Sequence, residues 1–240
     1  MKIGNLCIVV PVYKEKISDD ENFSLESLCK NASGENIFFI APEGLNVDNY
    51  QKWGWRYVFF PKKYFVSVDG YTRLLLSPSF YKKFEKYEYM LICQTDALLL
   101  KPIGEIVPFL KSGYDYFGAP WPDGNRIYSY SFKGISAFTK FLHPQTCSVG
   151  NGGFSLRNIL NTIALLNEKK KYIRIWNAGE DCFFAYHGLK NDCGFRVAPL
   201  QLAYDFAVEK DAEEQIIKGR MPFGIHAWKK FYPSLNVERE

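Results

Sequence analysis

Short apolar runs recur through the first hundred residues, and amphipathic stretches separate them. "NLCIVVPVY" (Asn5 to Tyr13) is one such run, and its length and flanking turn residues predict a strand buried on both faces. "SLESLCKN" predicts a short helix with Ser24 as N-cap and Glu26 in the first turn. "NIFFIAPEGL" (36–45) and "RYVFFPKKYF" (56–65) predict a second and a third strand. "YTRLLLSPSFYKKFEKY" has helical spacing that Pro78 interrupts. "YMLICQTDALLL" predicts the next strand, and here the pattern breaks. Gln94, Thr95 and Asp96 interrupt a run that is otherwise apolar from Met90 to Leu100. An isolated ionised carboxylate in an apolar interior is costly unless it is paired or metal-bound. Either the apolar run ends at Asp96, or its carboxylate has a partner.

Strands alternating with helices predict an α/β fold with a mainly parallel central sheet flanked by helices. Such sheets bind ligands at the carboxyl ends of their strands, and Tyr13, Glu43 and Asp96 all fall near such ends. The second half is less regular. "GYDYFGAPWPDGN" reads as aromatic and turn-rich. "SVGNGGFSLRN" reads as a Gly-rich loop running into the helix "SLRNILNTIALLNEKKK". "IWNAGEDCFFAYHGLK" reads as a loop leading into another helix, and "MPFGIHAWKKFYP" closes the ordered chain. No repeat or linker divides the halves, so 1–240 reads as one domain.

Composition narrows the class. The chain has 240 residues, 47% of them hydrophobic and 17% aromatic, enough for a packed core and against disorder. A net charge of +4 is too small to point to nucleic acid and suits an anionic substrate or membrane surface. Six cysteines occur without a CxxC pair, which predicts reduced thiols and disfavours a zinc cluster. Neither a signal peptide nor an apolar run of about 20 residues is present, which predicts a cytoplasmic protein, peripheral at most to a membrane.

Four short stretches could carry chemistry. Asp96 at a strand end suits a divalent metal on a diphosphate, or a turn. "GNGGF" (150–154) allows close backbone approach and is not a P-loop; it suits a sugar-facing loop with Asn151 as hydrogen-bonding group, or a tight turn. Glu180 and Asp181 in "NAGEDCFF" suit a general base at a helix entrance, or a helix cap. His226 in "FGIHAWKK" suits a metal ligand or a structural role, and Lys229 and Lys230 add charge that suits a phosphate. His143 and His187 have no comparable setting.

The order of these signals, "QTD", "YDYFGAPW", "GNGGFSLR", "GED" and "PFGIHAW", resembles the GT-A class of nucleotide-sugar glycosyltransferases. More closely, it resembles a bacterial surface-polysaccharide family described only as a domain of unknown function. The resemblance spans roughly Asn5 to Phe231 and implies a single Rossmann-like GT-A domain. Its nucleotide-binding part would be about 1–100 and its acceptor and catalytic part about 101–235. "QTD" stands where that class has its DxD motif, with Gln94 in place of the first acid. The resemblance thus implies a divalent metal, Mn²⁺ or Mg²⁺, on Asp96 and His226. It implies donor binding by Pro11, Tyr13, Arg73, Gln94, Asp96 and Lys229. Acceptor binding would fall to Trp121, Asn151, Gly152, Gly153 and Glu180, with Asp181 as catalytic base and Glu180 beside it. The implied partners are a nucleotide sugar, a UDP-sugar foremost, and a glycan or lipid-linked acceptor; the implied reaction inverts the anomeric centre. Two other readings stay open: a non-catalytic nucleotide-sugar or carbohydrate-binding module, and a metal-dependent nucleotidyltransferase or hydrolase.

Overall fold

The computed structural model describes residues 3–128, 144–176, 178–232 and 234; His143 lies outside them. In chain order the elements are β1 (Leu6–Pro11), α1 (Asp19–Asn31), β2 (Ile37–Pro42), β3 (Arg56–Phe60), α2 (Val68–Leu75), α3 (Pro78–Lys82), β4 (Tyr89–Cys93), β5 (Leu98–Leu99), α4 (Val107–Lys111) and β6 (Tyr116–Ile127). After these come β7 (Gln145–Asn158), α5 (Ile159–Glu168), α6 (Lys170–Ile173), α7 (Glu180–Leu189), α8 (Leu200–Phe206), β8 (Ala207–Val208), α9 (Ala212–Ile217), β9 (Gly224–Ile225) and α10 (Trp228–Phe231).

The main sheet has the order β3-β2-β1-β4-β7-β6. β3, β2, β1 and β4 run parallel, and β7 is antiparallel to both β4 and β6. The expected mainly parallel sheet is therefore present, with one reversed strand, β7, second from one edge. β1, β2 and β4 are buried on both sides, which is why their sequences read as unbroken apolar runs. Alternate residues serve opposite layers. Ile8, Val10, Leu91 and Cys93 pack with Leu25 and Leu28 of α1 and Phe109 of α4. Cys7, Val9, Met90 and Ile92 pack with Leu74 of α2, Phe80 of α3, Leu165 of α5 and Phe183 of α7. A second sheet, β5-β9-β8, carries a third cluster around the fully buried Trp228. Among the described residues no helix is long and apolar enough to cross a membrane.

Three local expectations are corrected. The cap of α1 lies six residues before the expected one: Ser18 and Glu21 form a reciprocal capping box, and Ser24 is buried inside the helix, accepting from Trp228 Nε1 at 2.9 Å. The turn-rich "GYDYFGAPWPDGN" lies largely in strand β6, whose pairing with β7 absorbs its Gly and Pro through register shifts between Phe117 and Asn125. "SVGNGGFSLRN" is likewise not a loop but most of strand β7, and α5 starts only at Ile159, capped by the Asn158 side chain.

The break at Asp96 is resolved by topology. β4 ends at Cys93, the chain turns at Gln94–Ala97, and β5 begins at Leu98 in the other sheet. Asp96 thus sits in the turn between two sheets, with more than half of its side chain (56%) exposed.

Candidate functional site

β1 and β4 are neighbouring parallel strands, and their carboxyl ends open into a cleft of about 700 Å³. Its lining includes Pro11, Tyr13 and Lys14 after β1, Tyr71 of α2, Gln94 to Asp96 after β4, and Lys229 of α10. Tyr13 is 54% exposed, an aromatic face held out at the mouth. Lys14 reaches Glu21 at 3.2 Å, and Thr95 donates to the same carboxylate at 3.3 Å. Lys229 pairs with Asp20 of α1. The Tyr71 hydroxyl is buried with no hydrogen-bond partner within the described residues.

His226 organises the floor. Its Nε2 lies 3.4 Å from Asp96 Oδ1 and 3.2 Å from Gln94 Oε1, and its Nδ1 lies 3.1 Å from Glu209 Oε1. Burial alone would make the imidazole harder to protonate, but the hydrogen bonds and charges of Asp96 and Glu209 outweigh it and raise its pKa to about 9. Burial would likewise push the Asp96 carboxyl up, and the His226 hydrogen bond and charge outweigh it and hold it below its ordinary value. The backbone is set for this placement. Ala227 holds a left-handed conformation (φ 48°), unfavourable for a residue with a Cβ, between His226 and the buried Trp228 anchor. Among the described residues no three His, Cys, Asp or Glu side chains form a metal-holding group. The donor set nevertheless fits a divalent cation, because the amide oxygen of Gln94 joins the Asp96 carboxylate and the His226 nitrogen. Glu209 holds the opposite ring nitrogen, as a carboxylate behind a metal-ligating histidine does.

Strand β7 connects this floor to the acid pair. A Cβ placed on Gly153 would lie 2.0 Å from His226 Nε2, and one on Gly152 would lie 2.6 Å from Glu180 Oε1 and 3.4 Å from Asp181 Cβ. The two glycines are consecutive, ~3.8 Å apart at Cα. The imidazole and the acid pair therefore flank a single peptide unit. One on Gly150 would lie 2.0 Å from the Trp121 ring. Asn151 uses both ends of its amide internally: Nδ2 donates to Glu209 at 2.7 Å and Oδ1 accepts from Gly153 N–H at 3.1 Å.

The two acids are not equivalent. Glu180 is buried and bound to Arg157 at 3.1 Å. Arg157 is itself fully buried, donating also to Tyr81 Oη at 2.7 Å and Ser155 Oγ at 3.2 Å, with its guanidinium over the rings of Phe184 and Tyr116. Asp181 forms no ion pair among the described residues. One of its oxygens accepts from Cys182 N–H at 2.7 Å at the start of α7. Burial, and then the neighbouring Glu180 charge, raise its pKa to about 6.

Of the residues singled out from sequence, Pro11, Tyr13, Gln94, Asp96 and Lys229 share the cleft, and His226 closes on Asp96 and Gln94. Asn151, Gly152 and Gly153 stand between that cleft and Glu180 and Asp181. Trp121 is buried against Gly150, 7% exposed. Arg73 stays apart: it pairs with Asp69 one turn away on α2 at 3.1 Å and lines a different groove. Glu43 does not line the cleft. Sequence reasoning misses Glu209, Arg157, Lys14 and Tyr71. Glu209 lies in "FAVEK", where a lone acid after an apolar run repeats the signal that draws attention to Asp96. Arg157 ends the "GNGGFSLR" motif, in a strand where a charge needs a buried partner.

A mainly parallel sheet with a cleft beyond its strand ends is an arrangement that the GT-A fold shares with other doubly wound α/β folds. Similarity to solved structures agrees. An active-site mutant of LgtC superposes with a TM-score of 0.53 at 12% identity, covering 92% of this chain and 86% of that one. LgtC, a galactosyltransferase in complex with donor and acceptor sugar analogues, gives 0.49 at 12% identity over the same shares. The apo glycosyltransferase GlyE of Streptococcus pneumoniae TIGR4 gives 0.44 at 11% identity, over 92% of this chain and 54% of that one. At these identities the likeness is one of fold, carried by the 0.53 superposition. The chain belongs to the family described as "Protein of unknown function (DUF5672)", whose profile matches residues 54–226. No curated protein matches the sequence.

Proposed function

We propose that this protein is a glycosyltransferase that moves a sugar from a nucleotide-sugar donor to a hydroxyl of a glycan or lipid-linked acceptor. The single observation behind this reading is the adjacency, across one Gly-Gly peptide unit, of the Gln94–Asp96–His226 cluster and the proton-accepting Asp181. Donor binding belongs to the part within about 1–100, and acceptor binding and catalysis to the part within about 101–235. The exposed Tyr13 ring offers a stacking face for the base, with uridine the expected one, and Lys14 and Lys229 offer charge to the diphosphate. Gln94, Asp96 and His226 would hold Mn²⁺ or Mg²⁺. When bound, the cation supplies positive charge to the departing diphosphate.

Asp181 is the base. As the acceptor oxygen bonds to the anomeric carbon, the bond from that carbon to the diphosphate oxygen breaks, and the acceptor proton passes to Asp181. A single displacement of this kind inverts the anomeric centre. A pKa near 6 suits the task, leaving the carboxylate ionised at neutral pH yet more basic than a solvated aspartate. Glu180 supports Asp181 by raising its basicity, while Arg157 keeps Glu180 in place. We place the reaction in bacterial surface-polysaccharide or glycoconjugate synthesis, in the cytoplasm at the inner membrane face.

A panel of nucleotide sugars tests this. Nucleoside diphosphate release that rises with added acceptor, with an inverted product linkage by NMR, is expected. Donor binding without release in any combination would favour the non-catalytic module, a reading helped by Gln94 in place of an acid. Transfer of a nucleotidyl group would favour the nucleotidyltransferase reading, and retention at the anomeric carbon would remove Asp181 as base.

A further inference from the structure

The face of α2 turned away from the cleft borders a second groove, of about 770 Å³. Asp69, Gly70, Arg73 and Leu76 recur at helical spacing on this side, whereas Val68 and Tyr71 face the cleft. The groove is lined by five cations, Lys63, Arg73, Lys82, Lys170 and Arg174, against one carboxylate, Asp69, which Arg73 already engages. Lys82, Lys170 and Arg174 form no ion pair among the described residues. The hydroxyls of Ser67, Ser77 and Ser79 also line it. A concave wall with one sign of charge concentrates anions more than the same charges spread over a flat surface.

Its walls are fixed by packing. Gly70 lies so close to the Lys63 carbonyl that an added Cβ would come within 2.5 Å of it, which holds the Lys63 turn against α2. Pro78 starts α3 and places Lys82 at its end, and Leu166 and Ile173 carry the opposite wall from α5 and α6. Ser67, the N-cap of α2, lines both this groove and the donor cleft.

We propose that this groove binds a phosphate or diphosphate group carried by the acceptor, so that a phosphorylated acceptor reaches the cleft past Ser67. Assigning the phosphate to the acceptor rests on the glycosyltransferase reading; the oxyanion site itself does not. Cationic side chains and hydroxyls are the groups that recognise phosphate oxygens. Neutral glycans have no use for five cations.

The test is a calorimetric titration of inorganic pyrophosphate into the full chain in EDTA, with no turnover required. Binding is expected in the wild type and in Asp96→Ala. The double variant Lys82→Ala/Arg174→Ala should bind at least ten-fold more weakly, and Lys82→Arg/Arg174→Lys should recover most of the affinity. Equal affinity in the alanine double variant and the wild type would overturn the site, and so would loss of binding in Asp96→Ala alone. Vesicles of phosphatidylcholine with and without phosphatidic acid identify the source. Competition by the acidic vesicles assigns the phosphate to a lipid headgroup, and absence of competition assigns it to a soluble phosphoryl compound. Vesicle binding without pyrophosphate binding would make the patch a membrane-facing surface and overturn the proposal. Because pyrophosphate binding needs no catalysis, it can succeed where the transferase reading fails, and the reverse also holds.

Discussion

Asp181 holds its proton to about pH 6 because burial and the Glu180 charge both oppose ionisation. That has two measurable consequences of opposite sign. A folded-state pKa above the unfolded value contributes stability that is full below about pH 4 and is lost as pH rises through about 6. Above pH 6 the ionised side chain is therefore a stability cost on the order of 1–3 kcal/mol. Asp181→Asn should remove that cost, raising stability in denaturant titrations at pH 8 and not at pH 4. The same variant should lower turnover by about 10²-fold or more, as expected when a general base is lost. The acid limb of the wild-type rate profile should lie near pH 6. Unchanged turnover would reduce Asp181 to a first-turn acid of α7 whose carboxylate accepts from Cys182 N–H. Glu209 gives a second residue-scale prediction. It engages His226 Nδ1 and Asn151 together, so Glu209→Ala should weaken Mn²⁺ affinity about ten-fold or more, measured by electron paramagnetic resonance of free Mn²⁺. Equal Mn²⁺ affinity in the variant and wild type would limit Glu209 to a packing role.

Strand β7 is the element that joins the two centres, and it is also where the sequence is least legible. The parallel strands β1, β2 and β4 are legible because residues buried on both faces leave continuous apolar runs. The break at Asp96 is legible for the same reason. The Gly-rich segment is not, because glycine is both a loop residue and the residue a strand uses where other side chains press close to its backbone. Here Trp121, Glu180 and His226 do so at Gly150, Gly152 and Gly153. Asn151, Gly152 and Gly153 stand out in the sequence as candidates for chemistry, but their visible work is to admit and join the groups that perform it. Glu180 is likewise legible as a site residue and not as the partner of a buried arginine, since the contact with Arg157 spans two elements. Glu180→Gln leaves Arg157 buried without its counter-charge and should cost about 3–5 kcal/mol in urea unfolding. A change below about 1 kcal/mol would mean that Tyr81, Ser155 and the aromatic faces already satisfy the guanidinium.

At the scale of the molecule, the cleft is assembled from segments far apart in the chain: the turn after β1, the start of α1, α2, the turn after β4, and α10. Direct bonds between these segments include Lys14 to Glu21, Thr95 to Glu21, Lys229 to Asp20, Trp228 Nε1 to Ser24, and Trp228 N–H to the Asp96 carbonyl. A ligand seated there would tie the carboxyl ends of the parallel strands to the second sheet, and so would bind the folded chain and not the unfolded one. Such binding stabilises by about 2.7 kcal/mol at a hundred times the Kd. For a chain of 150–250 residues each kcal/mol is worth about 2–4 °C in Tm. UDP with Mn²⁺ at saturating concentration should therefore raise Tm by about 5–10 °C. EDTA should remove most of that rise, because the cation on Asp96 and His226 would be what holds the diphosphate in place. Asp96→Ala should lower the unliganded Tm modestly, because it removes the partly exposed Asp96–His226 contact, and should abolish the response to UDP with Mn²⁺. An equal rise in EDTA would remove the metal from donor binding while keeping the cleft. An equal rise in Asp96→Ala would move the nucleotide elsewhere in the fold, and with it the reason for a carboxylate in the turn between the two sheets.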